Sequence, residues 1–243
     1  MKLEQVNDYQ LYLRDETDLW GFYQNGVYEP EETKLIKSLV KPDMVCLDIG
    51  ANIGYFTVLM AKQCKLVWAY EPEPSNYQLL RKNIMLNQTF NIYVNHVALT
   101  EKSGQAILHL SAASHGMHRM FPSGLCNSST VVRTQRFDEA WNNLDNFNID
   151  FVKIDIEGSE LGALKGMKSM LEKCMPTMVM EYHPPSIIEY GANPLDVYNF
   201  MKDLGYSIRL VPDNDKEITY EKLFEETNNI RGGQNVLCLK QEQ

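Results

Sequence analysis

Leu47-Asp48-Ile49-Gly50-Ala51-Asn52-Ile53-Gly54-Tyr55 is the stretch that decides the fold. An apolar run, Met44 to Asp48, ends in a turn with glycines at 50 and 54, as when a parallel strand hands the chain to a helix in an open α/β sheet. Neither glycine carries a Cβ, so the backbone can turn sharply and approach a ligand closely. A dinucleotide-binding turn would read Gly-x-Gly-x-x-Gly, but here Asn52 replaces the second glycine and the third falls at Gly54. The pyrophosphate cradle is therefore not reproduced. Asp48 suits an ammonium group and Asn52 a carboxylate or amino group, so the turn fits an amino-acid moiety better than phosphate.

Working outward, short runs rich in Val, Ile and Phe alternate with helix-length amphipathic segments. The expected strands are Met44 to Asp48, Lys65 to Tyr70, Ile92 to Asn95, Phe151 to Asp155, Thr177 to Tyr182, Ser207 to Leu210 and Asn235 to Leu239. Ser75 is placed to cap a helix toward Asn87, and Pro194 to open one that Gly205 stops. An insertion, Glu101 to Arg136, carries alternating stretches at Gln105 to Leu110 and Ser129 to Arg133 that suit two extra strands or a hairpin. Within it, 111–128 lacks either periodicity and reads equally as a lid or as a surface loop. Residues 1–43 form a cap on the domain of 44–243, with helical spacing at Glu31 to Val40 and an aromatic series of Tyr9, Tyr12, Trp20, Phe22, Tyr23 and Tyr28. Ordinary core packing is the leading expectation for these rings, ahead of cofactor or sugar contact.

In such a sheet the ligand lies at the carboxyl ends of the strands. The second strand ends in Tyr70-Glu71-Pro72, where an acid reaches both hydroxyls of a ribose; dehydrogenases place one there too, and a solvated turn carboxylate is the plain alternative. After the third strand, Asn95-His96-Val97 lies where an adenine edge would be read. The fourth strand runs into Asp155-Ile156-Glu157-Gly158-Ser159-Glu160 and the fifth into Glu181-Tyr182-His183. Acids crowd the crevice, although Glu160 also suits a helix N-terminus. Strand alternation would set Glu181 and His183 on one side, beside Asp155. That trio suits either a divalent cation held by Asp155, Glu181 and His183, or a metal-free site in which His183 is the general base oriented by a carboxylate. His183 bonding only the backbone before Pro184 is the third reading. His115, His118 and Arg119 in the insertion are open to either substrate contact or solvation.

Bulk properties narrow the classes further. In a chain of 243 residues, 44% hydrophobic and 23% charged, one packed α/β domain is the expectation. A net charge of −9 without a basic run argues against nucleic acid. No window approaches the roughly 20 apolar residues of a membrane span, and the first residues lack a signal-peptide pattern, so a cytoplasmic location is expected. Cys46, Cys64, Cys126, Cys174 and Cys238 show no C-x-x-C pair and read as buried thiols.

Tyr28-Glu29-Pro30, the Asp48 to Tyr55 turn, Glu71-Pro72, Lys153-Ile154-Asp155-Ile156-Glu157-Gly158-Ser159-Glu160 and Glu181-Tyr182-His183, in this order, resemble the FkbM-type family of S-adenosylmethionine-dependent methyltransferases. The likeness runs roughly from Gly26 to His183. It implies a Rossmann-like class I methyltransferase fold, with a doubly wound, mostly parallel seven-stranded sheet whose last strand is antiparallel. It further implies S-adenosylmethionine as methyl donor and O-methylation of a sugar or related hydroxyl on a small-molecule or carbohydrate acceptor. By the same resemblance Asp48, Gly50 and Asn52, in the turn with Ala51, Gly54 and Tyr55, belong to the donor's methionine end and Glu71, followed by Pro72, to its ribose. Asp155 and Glu157 then line the reaction crevice. Where the family shows Thr-Leu-Asp, this chain reads Arg136-Phe137-Asp138, keeping only the acid. The competing classes are a binding protein that retains the donor or S-adenosylhomocysteine without catalysis, and a nicotinamide-dependent oxidoreductase, which the missing glycine disfavours.

Overall fold

The computed structural model describes residues 1–14, 18, 23–24, 26–111, 114–124, 126–142, 147–213, 215–229 and 233–241. The chain opens with β1 (Lys2–Val6) and β2 (Tyr9–Leu13), an antiparallel hairpin about Asn7-Asp8, followed by β3 (Tyr23–Gln24) paired with β4 (Val27–Tyr28) and by α1 (Pro30–Leu39). Next come β5 (Val45–Ile49), α2 (Tyr55–Ala61), β6 (Leu66–Tyr70), α3 (Pro74–Asn87) and β7 (Ile92–Asn95). The insertion holds β8 (Ala98–Leu99), β9 (Gly104–Ser111) and β10 (Cys126–Gln135). There follow α4 (Phe137–Asn142), β11 (Phe151–Ile154), α5 (Glu160–Gly166), α6 (Lys168–Cys174), β12 (Thr177–Tyr182), α7 (Pro184–Glu189), α8 (Pro194–Asp203), β13 (Tyr206–Leu210), α9 (Tyr220–Thr227) and β14 (Gln234–Lys240).

The main sheet has the order β13-β14-β12-β11-β5-β6-β7, and β14 runs antiparallel to both neighbours. From β5 the chain winds one way through β6 and β7, then returns to β11 and β12 on the other side. The order reverses between β5 and β11, which opens a crevice outside their carboxyl ends. Both faces of these strands are covered, so they read as apolar runs. On β11, Val152 and Ile154 pack toward the layer of α4 to α8, while Phe151 joins the layer of α1 to α3. Lys153 follows Phe151 by strand period two and lies beside Asp48 of β5.

Each end of the seven expected main-sheet strands, the terminal β14 included, falls within one residue of that observed. Helix α3 is capped by Glu73 rather than Ser75: a Glu73 carboxylate oxygen accepts from Asn76 N at 2.6 Å, and the Ser75 hydroxyl donates to the same oxygen. Pro74 then takes the first-turn place that needs no N–H. At α8, Asn193 caps ahead of Pro194 and Gly205 follows the end, as expected. The expected hairpin in the insertion forms, with β9 and β10 antiparallel and β8 parallel to β10.

The segment before α1 adds two β-ribbons to the expected helical and aromatic cap. Lys2 to Val6 and Tyr9 to Leu13 alternate about a two-residue Asn-Asp turn, and Asn7 sits at φ +49°. The hairpin docks on α3 through two asparagines one turn apart: Asn83 Oδ1 accepts from Tyr12 N at 2.7 Å and Asn87 Oδ1 from Gln10 N at 3.1 Å. Their amide nitrogens donate to the carbonyls of the same two residues. Tyr9 and Tyr28 pack on Tyr55, with centroids at 5.9 and 5.3 Å; Tyr9 is core, and Tyr28 is partly buried against it. Trp20, Phe22 and the Tyr23 side chain lie outside the described residues.

The Tyr55 hydroxyl joins this cap to the sheet. It accepts from Asn7 Nδ2 at 2.6 Å and Tyr28 N at 3.1 Å. The Thr33 hydroxyl, 3.1 Å away, donates to Tyr28 O, so Tyr55 is the donor in their contact. Tyr55→Phe is expected to lower unfolding free energy by about 1–3 kcal/mol, the cost of unpaired buried polar groups, as measured by urea denaturation. A change below about 0.5 kcal/mol, the level of an ordinary surface substitution, would show that the hub contributes no stability.

Candidate active site

The tips of β5 and β11 meet closely. A Cβ on residue 50 would lie 1.9 Å from the Asp155 carbonyl oxygen, and Gly50 also sits at φ +85°, so only glycine fits. The Gly50 and Ala51 amides both donate to Tyr70 O at 3.0 Å, tying the turn to β6. Asn52 follows at φ +49°, and Gly54 at φ +97° starts α2 with no room for a Cβ against Leu80.

Two adjoining cavities open at this turn. The larger, about 580 Å³, runs over Gly50, Asn52, Glu71 and Pro72 to Val97 and Leu99, and ends at Asp155 and Glu157. The smaller, about 320 Å³, lies between Tyr28, Asp48, Tyr55, Phe56 and Lys153, and shares Gly50, Asn52 and Asp155 with the first. Glu71 is buried; one oxygen accepts from Asn52 N and the other from Glu73 N, each at 2.8 Å. Burial pushes its carboxyl up to about 7 against those two amides. Asp48 is raised by burial too, with Lys153 and the Thr57 hydroxyl opposing. Asp48 Oδ1 and Asn52 Oδ1 are buried and have no hydrogen-bond partner in the protein.

At the far end, oxygens of Asp155, Glu157 and Glu181 come within 4.8 Å of one another. The sequence-predicted metal set was Asp155, Glu181 and His183; among the described residues the structure gathers Glu157 in place of His183. The strand alternation expected to align Glu181 with His183 stops at Tyr182, because His183 becomes the N-cap of α7. There His183 Nδ1 lies 2.6 Å from Ser186 Oγ. Glu157 sits at φ +56°, and burial and Asp155 push its carboxyl up to about 8 although Arg119 opposes them. Burial, then Glu157 and Asp155, raise Glu181 well above the carboxylate range. Glu160 is not part of the cavity lining: it accepts from Gly158 N at 3.0 Å, and burial lifts it to about 7.

The insertion covers this crevice. Gly116, His118 and Met120 line it, so the described residues of 111–128 contribute to the wall of the cavity, in keeping with the first of the two readings of this segment. His118 Nδ1 accepts from Ser111 N at 3.1 Å, and burial lowers its imidazole to about 4, which keeps it neutral. His115 holds the loop to α3 through its carbonyl, which accepts from Asn76 Nδ2 at 2.9 Å. Arg119 is buried and bridges Glu157 at 3.2 Å and Glu189 at 3.1 Å. His96 is placed elsewhere than expected: exposed and stacked on Tyr77 at 4.4 Å, it leaves Val97, Ala98 and Leu99 to line the cavity.

Sequence reasoning gave no role to Lys153, Glu32 or the Arg119 bridge. Lys153 Nζ is 3.0 Å from Asp155 Oδ2 and 3.8 Å from Glu32 Oε1, and burial does not discharge it because Asp155, Glu32 and Asp48 hold its proton. A lysine inside the apolar run Phe151-Val152-Lys153-Ile154 was the available signal, since a buried cation requires partners.

Residues 48–208 match the methyltransferase FkbM domain, and the chain belongs to that methyltransferase family. It is similar to hexuronic acid methyltransferase AglP of Haloferax volcanii, 26% identical over 78% of this chain and 74% of that protein. It is also similar to 2-O-methyltransferase NoeI of Sinorhizobium fredii, 24% identical over 62% of this chain and 70% of that one. A crystal structure of methyltransferase FkbM from Methylobacillus flagellatus superposes with a TM-score of 0.52 at 18% identity, over 85% of this chain and half (50%) of that chain. Among the described residues no helix is long and apolar enough to cross a membrane.

The raised carboxyls make stability depend on pH. Glu71, Glu157 and Glu160 bind protons more tightly folded than at their ordinary 4.5, so their contribution is complete below 4.5 and is lost as pH rises through about 7 and about 8. The thermal midpoint of the ligand-free protein is therefore expected to fall as pH rises across that window, and Glu160→Gln to flatten part of the fall. Calorimetric scans showing a midpoint that climbs from acid to neutral pH would contradict this.

Proposed function

We propose that the chain transfers the methyl group of S-adenosylmethionine to a hydroxyl of a sugar or glycosylated metabolite. The observation that carries the donor is the pair of buried, unpartnered oxygens, Asp48 Oδ1 and Asn52 Oδ1, at the junction of the two cavities. Two such acceptors suit an ammonium group. Glu71 uses one acceptor site on each oxygen for a backbone amide, which leaves lone pairs for a ribose diol. The apolar walls at Val97 and Leu99 suit an adenine ring. Support for a hydroxyl acceptor comes from relatives named for hexuronic acid and 2-O-methylation. A net charge of −9 weighs against a polyphosphate acceptor.

The donor supplies an electrophilic methyl whose bond to sulfur breaks, with the electron pair passing to sulfur, as an acceptor oxygen lone pair forms the new C–O bond. The protein must position that oxygen and remove its proton. Asp155 faces both cavities and is fixed by Lys153, so we assign it the proton. Arg119 holds Glu157 beside it as part of the acceptor wall. Glu181 completes that wall. His183 is the second reading for the base, favoured by its bond to Ser186, which orients the ring.

Asp155→Asn is expected to lower kcat by about 100-fold or more, the usual weight of a general base, while His183→Ala stays within about tenfold. The reverse order in a labelled-methyl assay on a sugar panel would move the base to His183. Asp155, Glu157 and Glu181 suit a divalent cation poorly, because Arg119 already occupies Glu157. Turnover is accordingly expected to survive chelation unchanged, and a loss restored by magnesium or manganese would reverse that judgement.

A further inference from the structure

The smaller cavity is lined by two buried charged groups, and the proposed proton transfer draws only on the contact of one of them, Lys153, with Asp155. Asp48 and Lys153, 1% and 2% exposed, both line it. Thr57 donates to Asp48 Oδ2, while Oδ1 has no partner in the protein. The Lys153 ammonium has three N–H groups; one meets Asp155 Oδ2 at 3.0 Å, and Glu32 Oε1 at 3.8 Å is beyond hydrogen-bond reach. The Phe56 ring, 4.6 Å from Nζ, supports the ammonium from below. A buried cation with donor capacity to spare, beside a carboxylate with an unused oxygen, is complementary to a ligand that carries both charges.

We propose that Lys153 is the residue that selects the amino-acid end of the methyl donor, its ammonium binding the α-carboxylate while Asp48 Oδ1 accepts from the α-ammonium. This rests on the donor reading above. Because the cavities share Gly50, Asn52 and Asp155, one molecule spans them, with its nucleoside in the larger and its aminocarboxyl group in the smaller. The surrounding acids Glu32, Asp48 and Asp155 serve a purpose in this arrangement: they keep a deeply buried lysine charged, so that the cation is present before the ligand arrives. A lysine suits the place because a compact point charge with rotatable donors can serve Asp155 and a second carboxylate together.

Isothermal titration calorimetry on the full chain compares S-adenosylhomocysteine with 5′-methylthioadenosine, which keeps the nucleoside and thioether but lacks the aminocarboxyl group. Wild type is expected to prefer S-adenosylhomocysteine by about tenfold or more, the scale of one charge-assisted contact. Lys153→Met is expected to erase most of that preference by weakening S-adenosylhomocysteine alone, and Lys153→Arg to restore part of it. A Lys153→Met protein that keeps the wild-type ratio overturns the role of Lys153 and leaves the donor reading standing; a wild type that binds neither ligand overturns both. If Lys153→Met does not fold, the decarboxylated analogue of S-adenosylhomocysteine decides on wild type alone: affinity equal to that of the parent compound overturns the proposal, and affinity about tenfold weaker upholds it.

Discussion

The carbonyl of Asp155 stands 1.9 Å from where a Cβ on residue 50 would lie, and the geometry of the site follows from that approach of two strand tips. It is possible only where the sheet reverses its order, since there the chain leaves β5 and β11 toward opposite faces. The contact fixes the turn from Gly50 to Asn52 against the start of the acidic segment. Asp155 thereby becomes a common wall of two cavities. A side chain at residue 50 would separate the strands and split this shared wall.

Two additions to the sheet converge on the same turn from opposite sides. The N-terminal hairpin reaches it through Tyr55, the first residue of α2, whose hydroxyl gathers Asn7, Tyr28 and Thr33. The insertion reaches it through α3: Glu73 and Asn76 hold the helix start, and Asn76 in turn holds the His115 carbonyl. Across the crevice, Arg119 fastens the same insertion to Glu157 and to Glu189 of α7. The insertion is therefore secured on both banks by charged and amide groups.

Much of this was legible in the sequence. Strand positions followed from apolar runs bounded by turn residues, since parallel strands covered on both faces leave no polar alternation to confuse them. The Asp48 to Gly54 turn, Glu71 and Asp155 were legible because position at a strand tip is itself the signal. What escaped depended on where side chains go after the backbone ends. His183 was read as continuing the strand, but Pro184 and Pro185 start a helix at once and turn its ring to Ser186. His96 was one residue from the cavity wall, yet the chain turns Val97 inward and leaves the imidazole on Tyr77. The hairpin at Lys2 to Leu13 had a readable turn, but its aromatics suggested a cap before its alternation suggested strands. The Arg119 bridge was beyond reach for another reason: its partners Glu157 and Glu189 lie 38 and 70 residues further along the chain.

The charge state of the acids bears on how such a site can work. A sulfonium donor is cationic, and its charge disappears when the methyl leaves and the acceptor's proton reaches a carboxylate. Carboxylates that stayed ionised around it would stabilise the starting state more than the transition state, and so slow the transfer. Here burial raises Glu157 to about 8, so at neutral pH it is largely a neutral acid that can donate as well as accept hydrogen bonds, and burial raises Glu181 well above its ordinary value too. Asp155 differs in having the Lys153 ammonium at 3.0 Å. Held by that ammonium, Asp155 is the base of the proposed reaction, and Glu157 and Glu181 beside it are polar groups for the acceptor's hydroxyls. The pairing of Lys153 with Asp155 thus separates the roles of acids that the sequence presents side by side.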